Sequence, residues 1–166
     1  MKHLSDFRAA AAEQDIELAL GALTDDVVVR SPLTDRFTFD GKDDVRRLFE
    51  TAYEKFEGLN YHTVIGEGPQ CVLVGGGVAG GQKFEETLVL DLAEDGRIAG
   101  ITLFIRPLPG LTAVMAALGP ALARRNGRSN LTAVMLRAMT APLAAATRSG
   151  DRLGVGLALP KGRVPA

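Results

Sequence analysis

The chain has 166 residues, 46% hydrophobic and 23% charged, with a net charge of −1. That length suits one domain with a sizeable core, and the charge balance gives no drive toward nucleic acid or an acidic surface. The lone Cys71 excludes an internal disulfide, and two histidines far apart in sequence, His3 and His62, argue against a metal centre; neither metal nor cofactor is expected.

Leu4, Phe7, Ala11, Ile16, Leu20 and Leu23 recur near helical spacing, which predicts a helix over residues 4–23. Asp25 and Asp26 break that pattern. Val27–Arg30 is β-branched and reads as a short strand, stopped by Ser31-Pro32. Residues 34–40 read as a loop and a short strand holding Phe37 and Phe39. Gly41-Lys-Asp-Asp44 opens a second helix, whose apolar face is Val45, Leu48, Phe49, Ala52 and Phe56.

Four strands are predicted next, over 60–66, 70–79, 83–92 and 97–106. Glu67-Gly68-Pro69 and Glu94-Asp95-Gly96 are turn-forming breaks between them. Gly75-Gly76-Gly77 falls inside a strand. A phosphate-cradling loop would feed a helix, and here a strand follows, so a bulge, a bend or close backbone packing is expected.

Beyond Arg106-Pro107 the character changes. Leu111-Thr-Ala-Val-Met115 recurs as Leu131-Thr-Ala-Val-Met135, each copy opening a helix that Pro120 or Pro142 interrupts. Such a helical pair packs on the body or on a partner subunit, or closes over a pocket. Residues 150–166, rich in Gly and Pro, are expected to be irregular. The domain organisation expected is thus a body over 1–108, a helical extension over 109–149 and an irregular tail over 150–166. Met1-Lys-His-Leu-Ser-Asp lacks an apolar stretch and no run reaches about 18 apolar residues, so no membrane association and a cytoplasmic location are expected.

The helix–turn–strand–Pro order of Asp15–Pro32, with the strand–turn–strand of Glu86–Ile98, resembles the nuclear transport factor 2-like superfamily. Ketosteroid isomerases, SnoaL-like polyketide cyclases, limonene epoxide hydrolases and scytalone dehydratase belong to it. The resemblance covers about residues 4–106. It implies an α+β fold: a cone-shaped, curved antiparallel sheet packed on the N-terminal helices (cystatin-like), with the C-terminal helices as an extension. It also implies a pocket inside the cone and a homodimer through the convex sheet face.

Site residues follow from the same resemblance. In ketosteroid isomerases a carboxylate base precedes the Pro that ends the first strand; here Ser31 stands there. The tyrosine of the oxyanion hole aligns with Phe7, its supporting tyrosine with Phe49, and the protonated acid with Leu88. A serine is no base near neutral pH without activation, and each missing oxyanion donor costs on the order of 10²–10³ in rate. The Asp-Arg-Asp set of the epoxide hydrolases and the SnoaL-type aspartate are absent as well. An apolar lining of Phe7, Leu20, Phe49, Leu88, Leu90, Ile101, Leu103 and Ile105 is expected, which suits a hydrophobic, polycyclic ligand.

Two polar residues partly refill the site. Glu86 shares Leu88's face by strand alternation, and His62 aligns inward on the first long strand. Together they are the candidate acid–base pair, with Tyr53 and Tyr61 adding hydroxyls at the rim. Arg106 either anchors an anionic group at the rim or pairs with a surface carboxylate. Three readings stay open. The chain is a SnoaL-like enzyme of proton-transfer chemistry (isomerisation, cyclisation or dehydration), a binding protein that lost the chemistry, or an interaction module using its C-terminal helices.

Overall fold

The computed structural model describes residues 2–158 and Pro160. The first periodic stretch forms two helices, α1 (Lys2–Glu13) and α2 (Ile16–Gly21), where one was predicted. The break has a local cause. Gln14 adopts φ 59°, and the Asp15 side chain caps α2 by accepting from the Leu18 amide.

Strand β1 (Leu23–Arg30) starts earlier than predicted. Asp25 and Asp26 lie within it as exposed residues, where its register against its neighbour shifts. They are carried by a bulge, which a periodicity argument reads as a break. Strand β2 (Thr38–Asp40) leads directly into α3 (Gly41–Lys55), and α3 into β3 (Phe56–Ile65) without a loop. Strands β4 (Gln70–Ala79), β5 (Gln82–Leu92) and β6 (Ile98–Arg106) follow.

The six strands form one sheet in the order β2-β1-β6-β5-β4-β3. All pairings are antiparallel except β1 with β6, which run parallel. Helices α1 to α3 cover the inner face. The core there comprises Phe7, Leu20, Val29, Val45, Leu73, Leu88, Leu90 and Ile101, all buried. Burying side chains of this size contributes about 1.5–3 kcal/mol each.

The glycine run of β4 meets a doubly bulged β3. The β3–β4 register shifts between Glu57 and Asn60 and again between Tyr61 and Thr63. A Cβ on Gly75 would collide with the Asn60 carbonyl and lie 2.7 Å from Cδ1 of Tyr61. Close backbone packing is therefore why glycine stands at Gly75.

Two helices complete the chain, α4 (Leu108–Arg125) and α5 (Asn130–Ala158). Pro120 and Pro142 sit inside them without ending them, contrary to the sequence expectation. Helix α5 also runs through residues 150–158, which were expected to be irregular. The rest of that expected tail, apart from Pro160, lies outside the described residues. Helix α4 packs on α3, β4, β5 and β6, and α5 packs on α4. Among the described residues no helix is long and apolar enough to cross a membrane.

Candidate functional site

The wrapped sheet encloses a cavity of about 170 Å³ between its inner face and the helices. Helix α1 contributes Phe7, α3 contributes Phe49 and Tyr53, and the end of β1 brings Ser31. Strands β5 and β6 supply Glu86, Leu88, Ile101, Leu103 and Ile105. The alternation that points Leu88 inward also carries Glu86, two residues earlier on the same strand.

Leu90 and Leu20 are buried in the core but do not line the cavity. His62 does not reach it either. It is exposed, and its ring Nδ1 lies in a hydrogen bond with the hydroxyl of the adjacent Thr63, at 2.8 Å. The second bulge of β3 explains the difference. Tyr61 pairs with Gly75 and Thr63 with Val74, so His62 is the extra residue and alternation fails there. Arg106 is exposed and pairs with Glu85 at 3.3 Å, away from the cavity.

The residue opposite Glu86 is Tyr61. Its hydroxyl donates to Glu86 Oε1 at 2.5 Å, with both side chains buried. Arg8 holds the bulge beneath it by donating to the Tyr61 carbonyl at 2.9 Å. The Tyr61 ring stacks on Phe7, which tilts against Phe49, which in turn stacks on Tyr53. An aromatic wall thus runs from the carboxylate across the cavity.

Glu86 is the sole carboxylate among the described lining residues. Removal from water disfavours its charged form and lifts its pKa to about 7, while the Tyr61 hydrogen bond opposes that rise. Burial likewise raises the Tyr61 and Tyr53 hydroxyls, and the nearby Glu86 charge adds to both. A carboxyl half-ionised near neutrality can both accept and return a proton. Among the described residues, no group of three or more His, Cys, Asp or Glu side chains could hold a metal ion.

The sequence left closing over a pocket as one role for the C-terminal helices, but named none of the residues of this outer wall. Val114, Leu118, Gly119 and Leu122 of α4 line the cavity, facing Leu33 and Phe37 from the loop after β1. Leu33 and Phe37 are exposed at its mouth. Phe37, Phe39 and Leu122 also border a shallow polar depression with Asp44, Arg47, Arg125 and Asn126. Arg125 ties α4 to α3 through Glu50 and through Glu54 at 3.0 Å. The apolar spacing of α4 was visible in the sequence, but the face it turns to the cavity was not.

The model of the SnoaL-like domain matches residues 4–101, which carry most of the cavity lining, including Glu86 and Tyr61, but not the end of β6 or α4. The chain belongs to the SnoaL-like domain family. Among solved structures it is similar to a steroid delta-isomerase from Pseudomonas aeruginosa, at 26% identity and a TM-score of 0.64, over 76% of this chain and 90% of that one. It also shares its fold with a protein of cystatin-like fold from Silicibacter pomeroyi DSS-3, at 23% identity and TM-score 0.65, over 74% and 84% of the two chains. A nuclear transport factor 2-like protein of unknown function from Cytophaga hutchinsonii ATCC 33406 shares it too, at 17% identity and TM-score 0.54, over 64% and 89%. None of the curated proteins matches the chain.

Proposed function

We infer that this SnoaL-like protein takes a hydrophobic small molecule into its cavity and that Glu86 transfers a proton on it. The observation that carries the reading is a buried carboxyl with a pKa of about 7 in an otherwise apolar, aromatic-walled cavity. Ionised Glu86 takes a proton from an acidic C–H or hydroxyl of the ligand and returns it at a second position. The Tyr61 hydroxyl stabilises the carboxylate before the proton is taken and after it is returned, and Tyr53 offers a second hydroxyl to the charge that develops on the ligand between those steps. Isomerisation, cyclisation and dehydration all fit this scheme. The steroid delta-isomerase similarity supports a polycyclic substrate.

The base of this scheme differs from the one the ketosteroid isomerase resemblance implies, because that position is Ser31. Its hydroxyl accepts from the Leu33 amide at 3.1 Å and makes a turn. The apolar Phe7, Phe49 and Leu88 at the other three positions favour a second reading, a binder without chemistry.

One experiment separates the two. Hydrophobic ketones with exchangeable α-protons are incubated with the protein in D₂O, and deuterium uptake is followed by mass spectrometry. The first reading predicts catalysed exchange that Glu86→Gln abolishes while binding persists. Binding without exchange supports the second.

Val72, Val74 and Val89 are half-buried and Phe104 is exposed on the outer sheet face. We propose this face as the homodimer contact, and light scattering of wild type and Phe104→Glu tests it.

A further inference from the structure

A second depression lies on the opposite side of α4, away from the cone. It has a volume of about 440 Å³ and is bordered by α3, the β4–β5 turn, α4 and α5. Its charged lining is entirely cationic: Lys55, Arg124, Arg137 and Arg148. Alanines such as Ala117 and Ala144 make up most of the rest.

Of these cations only Lys55 is balanced by a carboxylate among the described residues. Lys55 pairs with Glu54 at 2.6 Å, and Arg125, next along the helix, is taken by Glu50 and Glu54. Among the described residues, Arg124, Arg137 and Arg148 make no ion pair. The Arg148 Nε is buried without a hydrogen-bond partner. A buried donor left unmatched is destabilising, and like charges that share a groove repel. The imbalance is regional: residues 108–158 carry six arginines against one aspartate, a net +5 in a chain whose total is −1.

We propose that this groove between α4 and α5 is a second ligand site, which binds a multiply charged phosphate group. Guanidinium forks match the geometry of phosphate oxygens, and Arg148 Nε supplies a donor that now lacks an acceptor. The alanine walls leave room for a small apolar body attached to the phosphate. The site is separate from Glu86 and independent of any chemistry there.

Calorimetric titration of the full chain with inorganic pyrophosphate at low salt tests the proposal. One saturable site is expected, weakened about tenfold or more by Arg148→Gln and by Arg137→Gln. It should also weaken as salt rises. Arg137 is exposed, so its variant keeps the test open even if the Arg148 variant fails to fold. Sedimentation with phosphatidylcholine vesicles containing phosphatidic acid identifies the source of the phosphate. Vesicle binding that pyrophosphate competes away points to a lipid headgroup. Pyrophosphate binding without vesicle binding points to a soluble organic phosphate. No saturable binding of either, or affinities unchanged in both arginine variants, overturns the proposal.

Discussion

Tyr61 and Glu86 face each other across strands β3 and β5 although Gly75 of β4 lies between those strands in the sheet. Gly75 pairs with both of them, and lacking a side chain it leaves the Tyr61 hydroxyl free to reach Glu86 at 2.5 Å. The candidate site therefore depends on a residue that contributes no chemical group.

That dependence can be tested at Gly75. Gly75→Ala introduces a Cβ that meets the Asn60 carbonyl and the Tyr61 ring. Overpacking of this kind costs about 1–3 kcal/mol. Urea unfolding should show that loss, and the displaced Tyr61 should no longer donate to Glu86. A variant as stable as wild type would contradict the packing described.

The raised carboxyl pKa makes stability fall with rising pH. Below pH 4.5 Glu86 is protonated in both folded and unfolded chains. Between 4.5 and about 7 the unfolded chain sheds a proton that the folded chain keeps, so unfolding is progressively favoured. Above about 7 the penalty levels off at about 3 kcal/mol. Glu86→Gln removes it. The stability difference between variant and wild type, measured by urea unfolding at pH 4 and pH 8, should widen by about that amount.

Tyr61→Phe isolates the hydrogen bond. The ring still stacks on Phe7, but Glu86 loses the donor that favours its charged form. Its midpoint should move above about 7, and activity that needs ionised Glu86 should shift to higher pH in step. A profile that stays in place would show that Tyr61 does not tune the carboxyl.

Gly119 offers a way to close the cavity without disturbing the fold. It lines the space, and a Cβ built on it meets nothing within 4 Å. Replacing a mid-helix glycine also removes up to about 1 kcal/mol of helix penalty. Gly119→Phe should fold with undiminished stability yet fail to take up an apolar fluorescent probe that wild type binds.

The limits of the sequence reading follow from the same geometry. Helix periodicity and strand alternation place Phe7, Phe49, Leu88 and Glu86 because each lies on a regular stretch. His62 falls on a bulge, where one extra residue inverts the alternation, and Tyr61 takes the inward position instead. The signal lay on another strand: in the glycine run of β4, Gly75 and Gly77 mark where β3 comes too close for side chains, and Gly76 where β5 does. Asp25 and Asp26 mislead for the same reason, since a bulge inside β1 looks like a strand boundary. The α4 wall was hidden for a different reason. An apolar helix face fits a core, a subunit contact and a pocket wall equally well until its partner is known.

The central claim is that Glu86 exchanges a proton near neutral pH inside the cavity. A ¹³C NMR titration of the glutamate carboxyl carbons, with the Glu86 signal assigned by its loss in Glu86→Gln, measures this directly. A Glu86 midpoint close to pH 7 is the predicted result. A midpoint near 4.5, the value of a glutamate in water, would contradict the account.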